Sequence, residues 1–249
     1  MAGGLLLEEE PPEPPAWHEA VKARLRTLHP RQDTFLHSPC KRRIGRVGRR
    51  GGKTTGFAYY SVEQLLAGHR VLYAVPTQEQ IDRFWFEVKQ ALAPAIDGRY
   101  VYKNETRHIL EVPGTSIRIR AKTAWNADTL RGDNCDTLIM DEYQLMNEDA
   151  WAIVGAPMLI DTNGEALFGY TPPSSRTAGM SKAHDPRHAA KLYKMAEQDQ
   201  DGNWLATTWT SHENPYLSAE GLQAVTKDMA PLALRQEIGA EDVEEIPGA

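Results

Sequence analysis

Short apolar, β-branched runs alternate with longer amphipathic stretches along this chain, and that rhythm predicts its elements. Arg43-Ile44-Gly45-Arg46-Val47 reads as a strand, and Gly56 to Leu66 is compatible with a helix. Arg70-Val71-Leu72-Tyr73-Ala74-Val75 is a buried-strand pattern ended by Pro76. Thr77 can cap a helix over about Gln78 to Leu92, with Ile81, Phe84, Trp85 and Val88 on one face. Residues 99–121 alternate as short strands with a turn at Pro113-Gly114. Thr137 to Met140 and Ala166 to Tyr170 read as two further strands, and a short helix is predicted over Trp17 to Leu28. Strands alternating with helices imply an α/β fold with a central, mostly parallel sheet flanked by helices.

The two ends depart from this rhythm. Residues 1–15 read as a disordered tail, because Glu8, Glu9, Glu10 and Glu13 repel and Pro11, Pro12, Pro14 and Pro15 forbid a helix. Residues 241–249 are acidic and then Pro/Gly-rich, as in a linker or tail, which leaves residues 16–240 as the folded domain. The full 249 residues suffice for one large α/β domain. A net charge of −6 gives no global nucleic-acid signature. Basic residues are nevertheless crowded between Lys41 and Lys53: Arg42, Arg43, Arg46, Arg49 and Arg50 lie among them. A solvated edge with phosphate ligands, or a contact surface for DNA or a second subunit, would account for that crowding. Cys40 and Cys135 lack metal-ligand spacing, and a reduced intracellular protein is expected. No apolar run is long enough to span a membrane as a helix.

The chemistry concentrates in Gly48-Arg49-Arg50-Gly51-Gly52-Lys53-Thr54-Thr55, between the first strand and the next helix. A glycine-rich turn there lets backbone N–H groups curl around a phosphate. The helix N-terminus adds partial positive charge, Lys53 adds a full one, and Thr54 offers a hydroxyl to Mg²⁺. The pattern departs from the usual P-loop in one place: Val47 stands where the first glycine belongs, and Gly48 follows it. A hydrolytic site also needs carboxylates. The strand Thr137 to Met140 ends in Asp141-Glu142, at the carboxyl edge of the sheet where the P-loop also lies. Asp141 would hold Mg²⁺ through its water shell, and Glu142 would polarise the attacking water.

With those motifs in place, the chain resembles the large terminase subunit of tailed bacteriophages. The resemblance rests on the Gly-Arg-x-x-Gly-Lys-Thr form of the loop and on Leu130-Arg131-Gly132 before the acidic strand. It also rests on Thr171-Pro172, on His29-Pro30-Arg31-Gln32, and on Arg235-Gln236-Glu237-Ile238-Gly239-Ala240-Glu241. It covers roughly residues 28–242. It implies an additional-strand (ASCE) P-loop NTPase with a small C-terminal lid region, driving double-stranded DNA into a procapsid at the expense of ATP. By position, Gln32 would contact adenine with Arg31 nearby, and Arg49 would sense the γ-phosphate. Lys53 and Thr54 would bind β/γ-phosphate and Mg²⁺, and Thr171 would report nucleotide state. Arg131 matches a trans-acting arginine finger, with Arg49 its rival; Trp125 and Asn126 lie in the loop leading to it. The implied partners are the portal protein, the small terminase subunit and further copies of the chain in a ring. The implied location is the cytoplasm of the infected host, transiently on the procapsid portal. Large terminases usually carry a C-terminal nuclease domain, and no nuclease activity is expected of this chain.

Arg99, Lys103, Arg107, Arg118, Arg120 and Lys122 fall on the short-strand region. They would either grip DNA phosphates in a ring pore or form a charge-alternating solvated face. Two rival functions share the motifs. A helicase-like translocase would bring a second RecA-like domain and separate strands. A nucleotide-gated DNA clamp or adaptor would bind ATP without turnover and have no need of Glu142.

Overall fold

The computed structural model describes residues 23–124, 130, 132–173 and 183–243. The expected N-terminal tail, Trp125, Asn126, Arg131 and residues 244–249 lie outside the described residues, as do 1–22 and 174–182 generally.

Eight strands form one sheet in the order β3-β4-β5-β2-β6-β7-β1-β8. These are β1 (Arg42–Val47), β2 (Arg70–Val75), β3 (Tyr102–Asn104), β4 (Ile109–Glu111), β5 (Arg118–Thr123), β6 (Thr137–Asp141), β7 (Glu165–Tyr170) and β8 (Trp204–Trp209). Every pairing from β5 to β8 is parallel, while β3 and β4 close one edge as an antiparallel meander. The mostly parallel sheet expected from the sequence is therefore present. Strand β7 lies between the P-loop strand β1 and the acidic strand β6, which is the inserted strand of the additional-strand class.

Central strands are apolar along their whole length because both faces are covered. β6 is buried throughout and β2 and β7 at all but their first residue. Alternation then splits the side chains between two cores. Val71, Tyr73, Val75, Ile139 and Leu167 pack on one face, with α2 (Lys53–Leu66) and α3 (Gln78–Ala91) over them. Leu72, Ala74, Leu138, Met140, Ala166 and Phe168 pack on the other, under a helix at His188–Glu197 and a turn of helix at Ala150–Gly155. The Gln80 side chain accepts from the Thr77 N–H at 3.1 Å, so α3 begins at the expected residue. Before β1, α1 (Pro30–Leu36) begins at its cap His29.

Four sequence expectations change. The helix over Trp17 to Leu28 does not form where it is described. Residues 23–28 are irregular, with the Arg24 N–H donating to the Ala91 carbonyl and Leu28 packed against the core. Helix α2 begins at Lys53 rather than Gly56, because Gly52 turns the chain at φ 93° and places Lys53 in the first helical turn. β8 is an additional edge strand that the hydrophobic pattern did not reveal. Lastly, Arg43 is neither a solvated edge residue nor a contact for DNA. It is 1% exposed, donates to the Leu36 carbonyl and Tyr60 hydroxyl, and pairs with Glu165. Arg46 pairs with Asp242 at 3.1 Å, and Asp242 also accepts from the Tyr170 hydroxyl at 2.7 Å. The chain just past residue 240 is thus anchored to the sheet.

Candidate active site

The ends of β1, β6 and β7 meet at the N-terminus of α2, and a cleft of about 680 Å³ opens there. Its walls include Arg49 to Thr55, Glu142, Thr171 and Pro172, with Leu28, Tyr216 and Leu217. That volume lies in the range of small-molecule sites.

Lys53 is the centre of the constellation. Its Nζ lies 3.2 Å from Glu142 Oε1 and donates to Thr171 Oγ1 at 2.9 Å. Gly169 makes this reach possible: a Cβ there would lie 2.7 Å from Phe57 and 3.2 Å from the Lys53 stem. Burial opposes charge on Lys53, but Glu142 and Asp141 outweigh it and hold its pKa above the ordinary lysine value. Burial likewise works against ionised Glu142, yet the Lys53 charge and the Gln144 amide, 2.8 Å away, hold its carboxyl below the usual range. Glu142 leaves β6 in a left-handed conformation, φ 54°.

Asp141 is fully buried at the end of β6. Its Oδ2 accepts from Thr54 Oγ1 at 2.6 Å and from the Tyr73 hydroxyl at 3.0 Å. Burial raises its pKa above the ordinary aspartate value, although the nearby Lys53 charge works the other way. Among the described residues no cluster of three or more His, Cys, Asp or Glu could cage a metal. The oxygen pair Thr54–Asp141 instead suits a Mg²⁺ ion that keeps waters and takes its remaining ligands from phosphate.

The backbone of the loop is prepared for an anion. The N–H groups of Lys53, Thr54 and Thr55 lie in the first turn of α2, where no intrahelical carbonyl can reach them. Gly51 must be glycine, since a Cβ would lie 2.5 Å from Val47 Cγ1. Gly48 must be too, with the Ile238 carbonyl 2.5 Å from the same position. The glycine shifted by one place from the usual pattern thus answers a close crossing by the chain near its C-terminus. Arg50 also takes a left-handed conformation, φ 59°, and lines the cleft.

The remaining sequence candidates are placed as follows. Thr55 lines the cleft and accepts from Arg83 at 3.5 Å. Arg49 is exposed and pairs with Glu237 at 2.9 Å on the cleft wall. Gln32 also lines the cleft, but its amide bonds within the protein: Nε2 donates to the Gly52 carbonyl at 2.7 Å and Oε1 accepts from the His29 N–H at 3.0 Å. Arg31 pairs with Glu213 at 3.0 Å. Arg131 lies outside the described residues. On the strand region, Arg120 and Lys122 converge on Asp133 at 2.5 and 2.8 Å. Arg118 reaches Asn134 at 3.1 Å and Lys103 pairs with Glu105 at 3.0 Å. Sequence reasoning missed Arg83, Tyr73 and Gln144. Tyr73 comes to the site through the parallel register of β2 and β6 and Arg83 through the packing of α3 on α2, while Gln144 reaches Glu142 from two residues further along the chain.

No protein-family model and no curated protein matches this sequence. Solved structures do match. The large terminase ATPase domain of Thermus phage P74-26 superposes with a TM-score of 0.67 at 21% identity, covering 87% of this chain and 94% of that one. The HK97 bacteriophage large terminase gives 0.67 at 14% identity, covering 90% of this chain and 54% of its own. The large terminase of a thermophilic bacteriophage, solved in complex with ATP-gamma-S, gives 0.63 at 16% identity, covering 87% and 53%. This chain spans about half the length of the latter two. The resemblance read from the motifs thus holds at the level of architecture: the chain has the fold of a large terminase ATPase domain, an additional-strand P-loop NTPase.

Proposed function

We propose that this chain is an ATP-hydrolysing motor domain that drives double-stranded DNA into a viral procapsid. The observation that carries the reading is the convergence of Lys53, Thr54, Asp141, Glu142 and Thr171 on one cleft at a helix N-terminus. Fold likeness to phage large terminases supports packaging among P-loop functions.

The geometry supports these roles. Loop N–H groups and Lys53 receive the β- and γ-phosphates. Thr54 and Asp141 would hold Mg²⁺, which neutralises phosphate charge when bound. Glu142, ionised at neutral pH, accepts a hydrogen bond from the attacking water. Lys53 contacts Glu142 and Thr171 together. An arriving phosphate competes for the Lys53 ammonium, freeing Glu142 for water and Thr171 to shift. That exchange is how Thr171 would report occupancy to the residues after β7. The Arg49 guanidinium is itself exposed in its pair with Glu237, and a γ-phosphate can draw that side chain across. Arg131 would act on the nucleotide of a neighbouring copy in a ring. Double-stranded DNA, the portal protein and the small terminase subunit are the proposed partners.

The test is phosphate release from ATP by the purified chain, followed by an in vitro packaging reaction with procapsids. Wild type should hydrolyse ATP with a Mg²⁺ requirement and support DNA filling, and Lys53→Ala should do neither. Turnover that persists in Lys53→Ala would end the assignment of this site. Hydrolysis coupled to strand separation would move the function to a helicase.

A further inference from the structure

Four consecutive carbonyls of the phosphate loop are each held by a buried side chain from elsewhere in the chain. Ser211 Oγ donates to the Arg49 carbonyl at 2.6 Å, and Asn214 Nδ2 to the Arg50 carbonyl at 2.7 Å. Trp209 Nε1 donates to the Gly51 carbonyl at 2.8 Å, with His29 Nε2 3.2 Å from the same oxygen. Gln32 Nε2 donates to the Gly52 carbonyl at 2.7 Å. Trp209, Ser211 and Asn214 sit on the turn that leaves β8, all at most 9% exposed.

In a trans peptide the N–H of one residue points opposite to the carbonyl of the residue before it. Fixing the carbonyls of Arg49, Gly51 and Gly52 on these donors therefore also fixes the directions of the N–H groups of Arg50, Gly52 and Lys53, residues that line the cleft. The Gly51 N–H is the exception, closing a turn on the Gly48 carbonyl at 2.8 Å. A glycine-rich loop has no side-chain packing to hold such an arrangement, and the left-handed Arg50 would otherwise relax. Asn214 is itself oriented: its Oδ1 accepts from the Tyr216 N–H at 3.0 Å, which fixes the amide with Nδ2 on the loop. The turn is braced by Glu213, which accepts from the Thr210 N–H at 2.8 Å and pairs with Arg31 of α1.

We infer that the turn Trp209 to Asn214, with Gln32, is a cradle of positioning residues that presets the phosphate loop for a di- or triphosphate. This rests on the nucleotide-binding reading above and adds to it. It also gives Gln32 a role at the loop in place of the expected contact with adenine. The cradle acts alike on the bound and reacting nucleotide, so its loss raises Kd and KM more than it lowers kcat.

The experiment is calorimetric titration of Asn214→Asp and Ser211→Ala with ADP and, separately, with inorganic pyrophosphate. Melting without ligand and the KM-against-kcat split are measured beside it. Asn214→Asp keeps the side-chain shape, removes the donor and sets an acceptor against the Arg50 carbonyl. The expected result is a loss of about tenfold in affinity for both ligands, the scale of one buried hydrogen bond, with ligand-free melting lowered in Asn214→Asp by the buried acceptor and nearer wild type in Ser211→Ala. Pyrophosphate touches the loop but no base pocket. ADP weakened with pyrophosphate unchanged would mean that Asn214 acts through Tyr216 on the cleft wall, and would overturn the cradle. Unchanged affinity for both would overturn it as well. If Asn214→Asp does not fold, Ser211→Ala decides by the same criteria. A wild-type chain that binds neither ligand would refute the nucleotide site itself, a failure distinct from any seen only in the variants.

Discussion

Replacing Glu142 by Gln should lower the stability of the nucleotide-free protein, strengthen nucleotide binding and abolish turnover. The three effects share one cause. The Lys53 side chain is 8% exposed and Glu142 is 26% exposed, 3.2 Å from it. Losing one partner of a fully buried pair costs about 3–5 kcal/mol, and the partial exposure of Glu142 with Asp141 nearby reduces that to roughly 2–3 kcal/mol. For a chain of this length the melting temperature should fall by roughly 4–12 °C. With nucleotide bound, Lys53 has phosphate for a partner, and removing the Glu142 carboxylate also removes a negative charge facing it. ADP should therefore bind Glu142→Gln at least as tightly as wild type, and saturating ADP should restore much of the lost stability. Hydrolysis, which needs the carboxylate, should fall by about 10²–10⁴. The pH dependence has a definite sign. Because the folded pKa of Glu142 is depressed by Lys53, its stabilisation is complete above the ordinary carboxylate range and is lost as pH falls through the folded value. The melting difference between wild type and Glu142→Gln should narrow in acid. Differential scanning calorimetry with and without ADP, beside a phosphate-release assay, reads all three effects. Wild-type turnover in Glu142→Gln, or ADP affinity falling with stability, would refute the exchange of Lys53 between carboxylate and phosphate.

Glu165→Ala leaves Arg43 buried without its carboxylate and should cost about 3–5 kcal/mol in urea unfolding; a loss under 1 kcal/mol would refute the role of the pair. Gly51→Ala drives a methyl into Val47 and the Gly48 carbonyl and should cost about 1–3 kcal/mol while weakening ADP binding, so a variant with wild-type affinity would show that the loop can shift freely. Glu105 accepts from Trp85 Nε1 and pairs with Lys103 and Lys89, which hold its pKa at about 2. Its carboxyl resonance should titrate there by NMR, its stabilisation complete above the ordinary carboxylate range and lost as pH falls from that range to about 2, and an ordinary midpoint would contradict the contacts.

What was legible in the sequence is what is contiguous in it. The P-loop and Asp141-Glu142 are short motifs whose neighbours dictate strand and helix, and the parallel sheet follows from apolar runs buried on both faces. The cradle could not be read that way. Its donors stand at Gln32 and at Trp209, Ser211 and Asn214, and only the pairing of β1 with β8 brings the second group to the loop. β8 itself was hidden because it is an edge strand of half-exposed threonines between two tryptophans. The basic run misled for the opposite reason. Its partners, Glu165 for Arg43 and Asp242 for Arg46, are more than a hundred residues away, so local charge looked unpaired.

ATP hydrolysis in this cleft is the central claim. Steady-state phosphate release from MgATP, measured across a range of protein concentrations for wild type and Glu142→Gln, tests it most directly. Turnover that rises with concentration in wild type and is absent from the variant is the predicted result. Equal release by the two proteins, or no turnover by wild type even at high concentration with DNA present, would contradict it.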